Sequence, residues 1–87
     1  PNRPNALRLT AAQRTESRER LKILKTWRAG LGYQLQLDPA LLWPAVSLER
    51  IARNLSSLED EMESPEVRGW QAAEFGESLG EQVTLMQ

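Results

Sequence analysis

The amino-acid sequence predicts an all-α domain, a compact bundle of about five helices, and three observations carry that expectation. Strand signals are nearly absent: β-branched and aromatic residues nowhere alternate with polar ones for more than a few positions, and valine occurs only at Val46, Val67 and Val83. Apolar residues recur instead at helical steps, as in Leu21, Leu24, Trp27 and Leu31 and again in Phe75, Leu79 and Val83. Helix-start signatures also stand ahead of apolar runs, the clearest being Thr10-Ala11-Ala12-Gln13.

Taken in order, the Thr10 hydroxyl and the Gln13 side chain have the form of a capping box, so a long helix is expected from there. Its first turns, from Ala11 to Glu19, hold almost no large apolar residue and read as a solvated extension. From Leu21 the stripe packs, widened by Ile23, while Arg20, Lys22, Lys25 and Arg28 fall largely outside it. Gly30, Gly32 and then Asp38-Pro39 are expected to end the helix between Tyr33 and Leu37. Pro39 to Trp43 is a short apolar patch, and Pro44 suits the first turn of a helix through Leu48, Ile51 and Ala52 to about Asn54. Ser56-Ser57-Leu58-Glu59 offers a second capping box for a short helix to Met62, where Ser64-Pro65 breaks it. The last helix runs from about Arg68, with Trp70, Ala73, Phe75, Leu79, Val83 and Met86 near one side and an acidic opposite side. Residues 1–9 are expected to be a flexible segment and residues 10–87 the folded domain.

Composition narrows function by exclusion. Eighty-seven residues supply one core and no separate catalytic domain. The chain has no cysteine, which excludes a disulfide framework, a thiolate zinc site and a cysteine nucleophile. It has no histidine, the side chain best suited to proton transfer near neutrality and the commonest metal ligand. Without histidine only a lysine is left as base for a serine or threonine nucleophile, and both Lys22 and Lys25 fall on a helix face that reads as exposed. The acidic residues lack the alternating ligands and glycine of an EF-hand loop. No enzyme activity, metal or cofactor is therefore expected. No segment approaches the roughly 20 apolar residues of a membrane span. The expectation is a soluble, cytoplasmic monomer, and a start at Pro1 suggests a domain cut from a longer polypeptide.

Two stretches carry more than helicity: Leu24-Lys25-Thr26-Trp27-Arg28, and Arg68-Gly69-Trp70-Gln71-Ala72-Ala73-Glu74-Phe75-Gly76-Glu77-Ser78-Leu79. Between them lie Leu37-Asp38-Pro39-Ala40-Leu41-Leu42-Trp43-Pro44 and Ser47-Leu48-Glu49-Arg50-Ile51-Ala52-Arg53. In order and spacing, from about Arg20 to Val83, this resembles the HRDC domain, the helicase and ribonuclease D C-terminal module, and the ribonuclease D type more than the RecQ type. The resemblance implies an auxiliary nucleic-acid-binding or domain-positioning unit beside a 3′–5′ exonuclease or helicase. Three positions depart from the pattern. Ala40 stands where RecQ-type members often have an aromatic implicated in single-strand binding. Ala45 and Val46 replace the Asn and basic residue that ribonuclease D-like members tend to carry after the second proline. The glycine-rich hairpin of relatives reads Ser64-Pro65-Glu66-Val67-Arg68-Gly69.

Charge is nearly balanced at −1 but uneven: residues 1–28 hold eight Arg/Lys and two Glu, residues 56–87 one Arg and eight Asp/Glu. Arg14, Arg18, Arg20, Lys22, Lys25 and Arg28 are placed to line phosphates, and the expected contacts are Arg20, Lys22, Lys25, Arg28, Arg50 and Arg53. The partner is then single-stranded or structured nucleic acid, held weakly. The alternative is a docking unit for a neighbouring catalytic domain of the same polypeptide, through Glu59, Asp60, Glu61, Glu63 and Glu66. For each charged stretch the plain alternative is a solvated surface. Trp27 and Trp70, on apolar faces, are expected to pack rather than stack on bases. Trp43 sits in a connection, where that argument is weaker, and Tyr33 is the remaining candidate for an exposed aromatic.

Overall fold

A computed structural model describes residues 10–87. The segment 1–9, expected to be flexible, lies outside the described residues. Among the described residues there are four α-helices and no strand: α1 (Ala11–Leu35), α2 (Ala45–Arg53), α3 (Leu58–Met62) and α4 (Gly69–Met86). Single 3-10 turns at Pro39–Leu41 and Leu55–Ser57 fill two of the connections. Four helices stand among the described residues where the sequence leads to expect about five in the domain: the Pro39 patch closes only one turn, capped by the Asp38 carboxylate accepting from the Ala40 amide at 2.9 Å.

The capping box at the start of α1 forms as its sequence requires. Thr10 Oγ1 accepts from the Gln13 amide at 3.1 Å, and Gln13 Oε1 accepts from the Thr10 amide at 2.8 Å. The turns that follow are exposed, as expected of a stretch without large apolar residues. The far end of α1 falls in the expected region for a different reason. The helix runs straight through Gly30 and Gly32 and stops at Gln36, which takes the left-handed conformation (φ 58°) while the Leu37 amide donates back to the Gly32 carbonyl at 3.0 Å. Gly32 is needed for space rather than flexibility: a Cβ there would lie 2.8 Å from the Leu37 carbonyl oxygen and 3.0 Å from Pro39 Cγ.

From that turn the chain folds back, and α2 lies antiparallel along α1. Arg28 Nη1 donates to the Trp43 carbonyl at 2.8 Å just before α2, and Arg20 Nη1 donates to the Ala52 carbonyl at 3.3 Å near its end. The core between α1, α2 and α4 is centred on Leu24, Leu42, Trp43, Leu48, Ile51 and Leu79, all fully buried, with Phe75 and Val83 beside them. Burying these side chains is the main stabilising contribution, since each contributes about 1.5–3 kcal/mol relative to exposure.

Of the three tryptophans, Trp27 and Trp43 pack as the sequence leads to expect and Trp70 does not. Trp43, in the connection, is the largest fully buried side chain; its indole N–H donates to Ser47 Oγ at 3.0 Å and its ring meets Trp27 edge-on at 6.4 Å. Trp27 is half-buried and joins α1 to α4 by donating to Ser78 Oγ at 2.9 Å. Trp70 is 51% exposed, touching Phe75 edge-on. Gln71 takes the inward place beside it: Oε1 accepts from the Arg68 amide at 2.8 Å, and Nε2 donates to the Leu41 carbonyl at 2.9 Å.

The capping box read at Ser56–Glu59 does not form. Asn54 takes over, its side chain accepting from the Ser56 amide at 3.1 Å, and Ser57 Oγ donates to the Asn54 carbonyl. An Asx-type turn two residues earlier thus competes successfully for the same backbone donors. The short α3 packs Met62 over Gly76 of α4.

Candidate nucleic-acid interface

The basic residues of α1 divide into two sets according to what the fold does with them. At 100° per residue, Arg14, Arg18, Lys22 and Lys25 fall within an arc of about 80°. All four are exposed. Arg20 and Arg28 lie nearer the packing face, half-buried, and their guanidinium groups serve the backbone carbonyls of Ala52 and Trp43. Arg20 also approaches Glu16 at 3.6 Å. These two, expected as phosphate contacts, are instead the fasteners between α1 and α2.

Arg50 is redirected in the same way, and with it two of the acidic candidates. Its Nε and Nη2 grip both oxygens of Glu61, at 2.7 and 2.9 Å, and Nη2 also reaches Glu66 at 2.8 Å. Residues assigned from sequence to opposed surfaces therefore neutralise one another across α2, α3 and the following loop. The hydrogen bonds from Arg50 hold the Glu61 carboxyl below the usual carboxylate range, against burial, which raises it. Arg50 holds Glu66 low in the same way. Bidentate geometry of this kind is the strong form of an arginine–carboxylate pair. Glu61 is buried, whereas Glu59, Asp60 and Glu63 stay exposed.

Of the six expected phosphate contacts, Lys22, Lys25 and Arg53 remain exposed with no hydrogen bond or ion pair among the described residues. Arg53 sits in the last turn of α2, where a cation also complements the helix dipole. The fold brings it not to Lys22 but to the amino-terminal half of α1. Arg14, Ser17, Arg18 and Leu21 from α1 and Glu49, Ala52 and Arg53 from α2 line a groove of about 400 Å³. Lys22 faces a second groove with Glu19, Ile23, Thr26, Trp27 and Gln82, between α1 and α4. Arg14 and Arg18 were in the wider basic set read from sequence; their pairing with Arg53 depends on α2 folding back, which no local pattern carries.

The last helix, α4, presents Glu74, Glu77 and Glu81 to solvent. Tyr33 is 88% exposed, near Gln36 and Leu37 at the end of α1. No group of three or more acidic side chains is arranged to hold a metal ion, and no helix is long and apolar enough to cross a membrane, among the described residues. No family model, curated protein or solved structure matches the chain.

Proposed function

We propose that the chain is a non-catalytic auxiliary module of HRDC type that holds nucleic-acid backbones weakly, as part of a ribonuclease D-like 3′–5′ exonuclease or a RecQ-like helicase. The observation that carries the reading is the uneven distribution of exposed charge: on α1 and α2 Arg14, Arg18, Lys22, Lys25 and Arg53 outnumber the exposed Glu16, Glu19 and Glu49, whereas α4 carries only Glu74, Glu77 and Glu81. A surface of this kind draws in a polyanion by its basic side and orients it away from the acidic one. The resemblance of Leu24 to Arg28 and Arg68 to Leu79 to the HRDC pattern supports the assignment to a helicase or exonuclease rather than to another polyanion-binding protein. The same reading makes the module a cytoplasmic monomer beside the catalytic domain of its own polypeptide.

Salt-titrated binding to single-stranded and duplex DNA and RNA tests it. With about three to five phosphates neutralised, the slope of log K against log[salt] is expected near −2 to −5, shallower for single strands. Absence of binding to any of these at low salt refutes the reading. The exposed carboxylates of Glu59, Asp60 and Glu63, beside the α4 stripe, favour a second reading in that event: docking of a basic neighbouring domain.

A further inference from the structure

We infer that the groove between the amino-terminal half of α1 and the end of α2 is a seat for the phosphodiester backbone of a single strand. Arg14, Arg18 and Arg53 are its cationic walls, and the exposed Lys22–Lys25 stripe is a secondary path. This rests on the nucleic-acid reading above and assigns it a place.

Four features of the groove support it. Arg14, Ser17, Arg18 and Leu21 stand at steps of three and four along α1, and Glu49, Ala52 and Arg53 do so along α2, so two helical ridges face each other. One carboxylate against three guanidinium groups leaves the groove net positive. Arginine's planar donor fork matches phosphate oxygens in a way that the point charge of a lysine does not. Arg20 already donates to the Ala52 carbonyl, which offsets the partial negative charge that the end of α2 would otherwise direct at an anion.

Size and lining select the occupant. Ala52 is 1% exposed and forms the bottom with Leu21, an apolar floor suited to the face of a sugar, while Ser17 offers a hydroxyl between the arginines. The groove is a surface furrow between two packed helices whose axes lie about 8–10 Å apart; a single extended backbone fits along it, whereas a duplex, whose major groove alone is about 12 Å wide, meets only its rim. From Arg14 to Lys25 is about 16 Å along α1, so a strand leaving the groove meets Lys25 next.

The test compares two pairs of variants of equal charge, R18A/R53A and K22A/K25A, in fluorescence anisotropy with labelled oligothymidylate and a duplex of the same length. Losing two groove contacts is expected to lower affinity roughly 60-fold at about 50 mM salt and to flatten the single-strand slope by about 1.4. K22A/K25A loses less than about tenfold, and the parent prefers the single strand to the duplex at equal salt. Circular dichroism checks that both variants stay folded. On the parent itself, the amides of Ser17, Arg18, Leu21, Ala52 and Arg53 are expected to shift first when oligothymidylate is added. Equal losses from the two pairs, a larger loss from the lysine pair, shifts confined to other residues, or preference for duplex overturn the groove while leaving nucleic-acid binding in place. A parent that binds neither probe at low salt overturns both.

Discussion

Two glycines two residues apart in α1 give opposite signs for the same substitution. Gly30 lies inside the helix with nothing within 4 Å of where a Cβ would stand, so Gly30→Ala recovers the helix-propensity penalty, about 1 kcal/mol of added stability. Gly32→Ala gains the same propensity but places its methyl 2.8 Å from the Leu37 carbonyl oxygen, with Pro39 Cγ at 3.0 Å and Cδ at 3.3 Å. Neither neighbour is the free end of a flexible chain. The carbonyl belongs to the turn that the Leu37 amide closes onto Gly32, and Pro39 opens the next turn. Relieving the clash therefore moves backbone, at an overpacking cost of about 1–3 kcal/mol. The net expectation is Gly32→Ala less stable than the parent by up to about 2 kcal/mol, and less stable than Gly30→Ala by about 1–3 kcal/mol. Urea denaturation followed at 222 nm measures both, and with a slope near 1–2 kcal/mol/M the two midpoints separate by about 0.5–3 M. Equal stabilisation by both substitutions would refute the close approach of Leu37 and Pro39 to α1, and with it the position of the fold-back that sets α2 in place.

Four further outcomes are expected. Phe75→Ala destabilises by about 3–5 kcal/mol in the same assay, and a change below about 1 kcal/mol contradicts its burial. Trp43→Phe takes away the indole N–H from which the buried Ser47 hydroxyl accepts and costs about 1–3 kcal/mol on that account; in a double-mutant cycle with Ser47→Ala the two losses are expected to be less than additive, and strict additivity argues against the bond. Glu61 and Glu66 have pKa values lowered by folding, so the stability they contribute is complete above the usual carboxylate range and is lost as pH falls through their folded values. Thermal melts of Arg50→Leu should fall below the parent at neutral pH and converge with it below about pH 4, whereas curves that stay parallel exclude the linkage. K22E/K25E, which reverses two charges rather than removing them, should weaken nucleic-acid binding more than K22A/K25A does without unfolding the domain, and neutralising Glu59, Asp60 and Glu63 should strengthen binding nonspecifically; anisotropy titrations of both, against the parent, decide.

How much was legible in the sequence follows from the range of the interaction concerned. The Thr10–Gln13 cap and the Phe75, Leu79, Val83 face are set by residues three or four apart, and the pattern reports them directly. Trp70 was placed on that face because it is apolar and nearby, yet it lies about 140° around the helix from Phe75. The inward place beside it goes to a glutamine whose acceptor, the Leu41 carbonyl, is 30 residues away. Trp43 had no periodicity to mark it as buried; its burial is decided by where α2 returns along α1. The basic face was legible as composition but not as a site. Arg20, Arg28 and Arg50 look like Lys22 and Lys25 in any charge count, and only the folded chain provides the backbone carbonyls and carboxylates that engage them. Arg53 was read correctly as exposed, but its neighbours in the groove belong to a helix that ended 18 residues earlier.

The two bonds from Arg20 and Arg28 to the carbonyls of Ala52 and Trp43 fix more than contact. They hold one helix to the other at both of its ends, so α2 cannot slide by one residue along α1, a step of about 1.5 Å, without breaking both together. Rotation about a single pivot is blocked for the same reason. A pull applied to the amino-terminal half of α1 is therefore passed to the whole unit as a turn of a rigid lever rather than absorbed as shear between helices. The position of one helix thereby sets the orientation of everything packed against it.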